Sequence, residues 1–245
     1  MVINPEMETA AEIAQMIQFP SAVDVETFAN NLVELVEFRV LETDPIANSK
    51  LADLSKLLPS KVLFCTIMRG EEVFIPKGNF KLEPDDLVQV MGERSSISRF
   101  FKYLGRNSHK AKNITIIGGS RIAIYLTWLL EEMDLNVKII EISKDRCLIL
   151  NDTLTKAMII HGDGTDQEIL DSENIESSDA IVALTDRDEE NLIISLYAHQ
   201  CGVPKVILKV NRQNYFPIIQ KLGLDSIISP KYITANNILR YIRAL

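Results

Sequence analysis

Residues 114–126 read ITIIGGSRIAIYL. A β-branched run, Ile114 to Ile117, enters a glycine pair and leaves with helical spacing, placing Ile122, Leu126, Leu129 and Leu130 on one face. A strand that turns sharply into a helix brings the helix's unpaired N–H groups, and a positive dipole end of about half a charge, to the turn. Such a turn can hold phosphate. The glycine fingerprint of a dinucleotide site is G-x-G-x-x-G. Here Gly118 keeps the first place, Ser120 stands in the second and Ala123 in the third. The first glycine permits the tight turn, the second lets backbone approach the pyrophosphate, and the third allows close helix–strand packing. Ser120 takes up room near the phosphates but offers a hydroxyl, and Ala123 adds a single methyl.

The second part of the fingerprint is independent of the glycines. An acidic residue should end the second strand about 20 residues on. The stretch VKIIEIS puts Glu141 there, 23 residues after Gly118. A carboxylate accepts from both ribose hydroxyls and repels a 2′-phosphate, which favours NAD(H) or an adenine nucleotide over NADP(H); the alternative is a carboxylate that merely ends a strand at the surface. IIHGDGTD (159–166) then offers a turn where Asp163 and Gly164 meet an adenine edge, with Asp166 as an N-cap. ALTDRDEEN (183–191) places Thr185 and Asp186 at a strand's carboxyl end, facing the crevice. Asp188, Glu189 and Glu190 load the next helix's first turn, and that run of anions beside a phosphate site calls for a compensating cation.

Around this turn the C-terminal half alternates. Apolar runs at Ile114–Ile117, Val137–Ile142, Ala157–His161, Ala180–Leu184, Val206–Val210 and Ser226–Ile228 are separated by stretches of helical periodicity. The pattern predicts βαβ units and a doubly wound, Rossmann-like parallel sheet of the α/β class. The N-terminal half has another rhythm. LVELVEFRVL, KVLFCTIMRGEEVFIPKG and PDDLVQVMG, with a hairpin signal at Arg69-Gly70-Glu71 and a short helix at Lys50–Leu57, predict a small α+β domain with antiparallel pairing. A helix and polar linker follow in RSSISRFFKYLGRNSHK, and the boundary falls near Asn107–Lys112.

The composition excludes several classes. A net charge of −8 argues against nucleic acid. Lys205 to Leu245 nonetheless holds seven basic residues and one acid, Asp225, an end that suits a phosphate, an anionic lipid surface, an acidic partner or plain solvent. No apolar stretch nears the ~20 residues of a membrane span. Glu6, Glu8 and Glu12 occupy the place of a signal peptide's basic and apolar regions, so a cytoplasmic protein is expected. Cys65, Cys147 and Cys201, and His109, His161 and His199, have neither disulfide-framework nor metal-ligand spacing.

An internal echo links the two ends. At an offset of 225, Ile3, Pro5, Thr9, Ala10, Ile13 and Ile17 match Ile228, Pro230, Thr234, Ala235, Ile238 and Ile242. The chain is therefore expected to open on the last helix of one dinucleotide-fold domain and to end on the same helix of a second, as a window from a longer tandem protein.

Taken in order, IIGGSRIAIYL, VKIIEIS, IIHGDGTDQEIL, DAIVALTDRDEENLIISLYAHQCGVPKVI and SPKYITANNILRYI resemble the TrkA N-terminal, or RCK/KTN, domain over residues 112–245. VEFRVLETDPIANSKLADL and RGEEVFIPKGNFKLEPDDLVQVMG resemble the companion TrkA C-terminal (RCK-C) domain over 31–95. Residues 1–20 would be a helix left from a preceding RCK-N domain. The resemblance implies a regulatory subunit of a bacterial potassium uptake system, binding NAD(H) or ATP/ADP. It also implies a homo-oligomeric ring, dimer or tetramer, at the inner face of the cell membrane beneath a potassium-translocating membrane subunit. Carried over by residue, it makes Gly118, Gly119, Ser120, Arg121 and Ile122 the phosphate turn and assigns Glu141 to the ribose. Asp163 and Gly164 go to the adenine side and Thr185 and Asp186 to the crevice floor, while Lys209 becomes a phosphate or nicotinamide-side contact. Ser120 and Ala123 depart from the family pattern, which bears on affinity and ligand identity. Two other readings stay open: an NAD-dependent oxidoreductase, and a structural RCK domain that no longer binds nucleotide.

Overall fold

A computed structural model describes residues 4–18, 22–28, 32–106, 111–224 and 226–243. The chain forms two compact units, one of residues 19–110 and one that joins residues 1–18 to 111–245. The expected linker falls partly on 107–110, outside the described residues, as does Ile3 of the echo.

Helix α1 (Pro5–Gln18) opens the chain. Unit 19–110 follows with β1 (Asp24–Phe28), β2 (Val33–Arg39), α2 (Leu51–Leu57), β3 (Leu63–Arg69), β4 (Glu72–Phe74), β5 (Leu87–Glu93) and α3 (Arg94–Tyr103). Its strands pair antiparallel in the order β1-β2-β5-β3-β4. The β3–β4 hairpin turns through Gly70 at φ +62°, where the signal predicted it. Alternation along β2 buries Val36 and Phe38, and α3 lays Ile97, Phe100 and Phe101 on that face. Phe38 meets Phe100 and Phe101 edge-on at 5.5 and 5.4 Å, the arrangement the ring quadrupoles favour. Strand β1 was not predicted.

The second unit continues with β6 (Asn113–Ile117), α4 (Arg121–Glu132), β7 (Asn136–Glu141), α5 (Lys144–Thr153), β8 (Met158–His161), α6 (Gln167–Ser172), β9 (Ala180–Ala183), α7 (Asp188–Gln200), β10 (Lys205–Lys209), α8 (Phe216–Lys221), β11 (Ile227–Ile228) and α9 (Pro230–Arg243). Each predicted strand ends within one residue of an observed one. The six strands run parallel in the order β11-β10-β9-β6-β7-β8. Successive strands thus step outward from β6 on one side and from β9 on the other. Between these two neighbours the winding reverses, and the helices that leave them diverge to opposite faces.

Period-two alternation splits the central strands between two cores. Ile114, Ile116 and Val182 face one side, with α1, α4, α5 and α9; Ile117, Ile181 and Ala183 face the other, with α6, α7 and α8. Helix α1 packs on α4 and α9 and buries Ala10, Ile13, Ala14, Met16 and Ile17 there. Its start repeats a detail of α9. Thr9 Oγ1 donates to Pro5 O at 2.7 Å, and Thr234 Oγ1 donates to Pro230 O at 2.7 Å.

Candidate nucleotide cleft

A cleft of about 870 Å³ opens where the carboxyl ends of β6, β7 and β9 meet the helices that follow them. Gly118 ends β6 at φ +97°, and its N–H donates to Ile140 O at 2.8 Å, tying the turn to β7. A Cβ there would lie 2.9 Å from Thr185 N, against rigid backbone, so sterics and dihedral both demand glycine. Gly119 is held at both ends of its residue: its N–H donates to Glu141 Oε2 at 2.6 Å, and its carbonyl accepts from Arg146 Nε at 2.6 Å. The second glycine of the pair, outside the fingerprint, therefore lies under Glu141, and a Cβ would come within 2.5 Å of Leu150 Cδ1.

Ser120 is the N-cap of α4, with φ −69° and ψ 173°, backbone that any residue adopts. Its Oγ accepts from Ala123 N at 3.4 Å, which leaves the hydroxyl hydrogen free to donate. Ala123 is fully buried where α4 crosses the sheet, so its methyl is accommodated. The serine in the fingerprint thus caps the helix as well as facing the cleft.

Glu141, at the end of β7, also accepts from Ser143 N through Oε1 at 2.7 Å. Each of its oxygens keeps a second lone pair. Asp163 Oδ1 accepts from Thr165 N at 2.9 Å and from Thr165 Oγ1 at 2.7 Å, and these donors hold its carboxyl below the usual range. Gly164 lies tight against β6: a Cβ would meet Ile117 Cγ2 at 2.2 Å.

Across the cleft, Thr185 is fixed by Asn191, a fully buried residue one turn into α7. Thr185 N and Oγ1 donate to Asn191 Oδ1 at 2.9 and 2.8 Å, while Asn191 Nδ2 donates to Thr185 O at 3.1 Å and to Lys209 O at 2.9 Å. One amide thereby joins the ends of β9 and β10. The anion run is compensated residue by residue. Asp188 is buried and accepts from Asn211 N and Arg212 N, both at 2.9 Å; Glu189 pairs with Arg212 at 3.0 Å, and Glu190 with Arg187 at 3.2 Å. Asp188 therefore braces the β10–α8 loop.

Nine of the eleven residues singled out from the sequence line the cleft. Ile122 and Lys209 do not. Ile122 points into the core, and the buried Lys209 reaches Asp186, 98% exposed, at 3.6 Å. Arg146 and Asn191, which the sequence reading missed, carry much of the geometry. Neither His161, whose Nε2 lies 3.1 Å from Ile142 O, nor His199 lines the cleft. Among the described residues no cluster of His, Cys, Asp and Glu is gathered to hold a metal, and no helix is long and apolar enough to cross a membrane.

Comparison with known proteins agrees with this architecture. The TrkA-N domain matches residues 114–230 and the TrkA-C domain residues 35–105. The chain is 34% identical over 98% of its length to "Trk system potassium uptake protein trkA homolog 1" of Methanosarcina mazei, covering 59% of that protein. It is 31% identical over 99% of its length to "Trk system potassium uptake protein TrkA" of Halomonas elongata, covering 53% of it. It thus spans little more than half the length of these curated relatives. Among solved structures, "Crystal Structure of the GsuK RCK domain" superposes at TM-score 0.63 with 15% identity, over 94% of this chain and 50% of that one. "GsuK channel bound to NAD" gives the same TM-score and identity over 94% of this chain and 41% of that one. The chain thus carries a match to the TrkA-C domain followed by a match to the TrkA-N domain, and it is similar to TrkA proteins over nearly its whole length.

Proposed function

We propose that this chain is the nucleotide-sensing part of a regulatory subunit in a potassium uptake system. The observation that carries the reading is the convergence of the Gly118 turn, the α4 N-terminus and Glu141 on one cleft at the reversal of strand order. The cradle fits a nucleotide. Any side chain at Gly118 would strike the end of β9, and Glu141 has acceptor capacity for ribose hydroxyls beside the turn. Gly118 and Gly119 would form the phosphate turn, Ser120 and Arg121 would donate to the phosphates, Glu141 would take the ribose, Asp163 and Gly164 the adenine edge, and Thr185 and Asp186 would form the floor. NAD(H) is the first choice, with the NAD-bound GsuK channel in support, and ATP or ADP the second.

The names of the relatives support potassium uptake as the process. The partner is a potassium-translocating membrane subunit, approached from the cytoplasmic side by a ring of copies of the longer protein. In that protein α1 is the last helix of a preceding TrkA-N domain, a reading supported by the shared Thr9–Pro5 and Thr234–Pro230 hydrogen bonds. The role is regulatory rather than catalytic. A nucleotide shifts the state of the membrane partner only through different affinities for two conformations of the assembly, each tenfold difference supplying about 1.4 kcal/mol per site.

One observation favours a second reading, a structural domain without ligand: both oxygens of Glu141 are already engaged with backbone N–H groups. Calorimetric titration with NADH, NAD⁺, ATP and ADP separates the two. Binding that weakens about tenfold or more in Glu141→Ala supports the sensor. A folded protein that takes up none of the four nucleotides is the structural domain, and unchanged affinity in Glu141→Ala removes the ribose role.

A further inference from the structure

Among the described residues, Arg121, Arg146 and Arg187 line the cleft and Lys209 reaches Asp186 at its rim; three of these four cations already face a carboxylate. Arg121 is 3.8 Å from Glu6, Arg187 is 3.2 Å from Glu190, and Lys209 is 3.6 Å from Asp186. Arg146 lines the cleft beside Glu141 and has no carboxylate partner among the described residues. Its side chain is anchored instead through one neutral acceptor, Nε donating to Gly119 O at 2.6 Å.

That anchor decides what remains. A guanidinium is planar and carries five N–H donors in a fixed fork. With Nε spent on the carbonyl, the four N–H bonds of the two terminal nitrogens stay unspent. Their direction is set by the bond to Gly119, so much of the side chain's freedom is lost before any ligand arrives. Gly119 is the residue whose N–H meets Glu141, so the cation sits where the phosphate turn and the ribose flank join.

We propose that Arg146 is a ligand-binding residue of this cleft and receives a phosphate group carried on the adenosine ribose. The proposal rests on the nucleotide reading above. Two phosphates have this chemistry: one of the 5′ chain lying on the turn, or one on the 2′ oxygen next to Glu141. The first adds Arg146 to the phosphate site. The second sets a cation against the carboxylate's discrimination and opens the cleft to NADP(H).

The test is calorimetric titration of the 245-residue chain, wild type, Arg146→Gln and Arg146→Lys, with adenosine, ADP, NAD⁺ and NADP⁺. A charge-assisted bond to phosphate predicts about 10- to 100-fold weaker binding in the Gln variant, with a smaller loss in the Lys variant. Loss for ADP, NAD⁺ and NADP⁺ alike, with adenosine unaffected, identifies the 5′ chain. Loss confined to NADP⁺ identifies the 2′ phosphate. The assignment is overturned if the Gln variant binds all four ligands like wild type. It is also overturned if adenosine loses as much as ADP, since Arg146 would then act only as a strut beneath Gly119. A wild-type protein that binds adenosine but gains nothing from any phosphate overturns it while leaving a purine site in place. A protein that binds none of the four removes the nucleotide reading itself.

Discussion

At the scale of single residues, the cleft is shaped by side chains that hold backbone rather than face solvent. Asn191 is the clearest case, because all of its hydrogen-bonding capacity inside the fold is used by Thr185 and Lys209. Asn191→Leu keeps the volume and removes every one of these partners. Buried N–H and C=O groups left alone cost about 1–3 kcal/mol each, so the variant should lose roughly 3 kcal/mol or more of stability in urea melts. Nucleotide affinity should fall as well, since Thr185 borders the cleft; a variant that melts like wild type would show the knot to be dispensable. No local pattern marks this asparagine, since its partners lie on two different strand ends. Arg146 was illegible for the same reason, reaching back 27 positions to Gly119. Gly118 and Glu141 were legible because their duties are local: one turns a strand, the other ends one. The stretch around Ser120 was only half legible. The serine's Cβ reads as room taken from the phosphates and its hydroxyl as a donor, but the sequence does not show that its backbone is extended and its hydroxyl caps a helix.

At the scale of elements, strands with an apolar run announced themselves, at the edges of the sheets as well as inside them, and the one strand without such a run did not. The run Asp24–Phe28 carries two acids and sits at the end of its sheet with one neighbour, β2. Nothing in DVETF resembles the apolar runs of the parallel sheet. Strand β2 has an oddity of its own, for Glu34 lies on the buried face of the alternation, with Oε2 lacking a hydrogen-bond partner among the described residues. Burial pushes its carboxyl above the usual range, and Arg94, 3.7 Å from Oε1, offsets this only in part. A carboxyl whose folded pKa is raised contributes stability below its unfolded value. That contribution is lost as pH rises through the folded value. Glu34→Gln, neutral at every pH, should therefore raise the melting temperature at pH 7 and leave it nearly unchanged at pH 4. Equal melting at both values would mean that the charged form is accommodated.

At the scale of the molecule, the sequence echo predicted that α1 comes from a repeated element but said nothing of where it packs. Its apolar stripe is matched by α4 and α9, and the parallel-sheet unit is thereby built from two segments separated by about 90 residues of the other unit. Ile13 is fully buried at that seam. Truncating a buried isoleucine to alanine costs about 2–5 kcal/mol, the lost transfer energy plus the cavity left behind. Ile13→Ala should thus lower the stability of the parallel-sheet unit although it lies outside residues 111–245. Hydrogen exchange resolves where the loss falls. Protection should drop across β6, β9 and α4 and stay unchanged in β2, β3 and β5, whose core contains no residue of α1. A saturating nucleotide at about 100 times its Kd adds roughly 2.7 kcal/mol to whatever unit binds it. It should therefore restore most of that protection in the variant. Restoration in the antiparallel strands instead would place the ligand outside the cleft, while a uniform loss across both sheets would mean that α1 supports the chain as a whole rather than the unit it packs on.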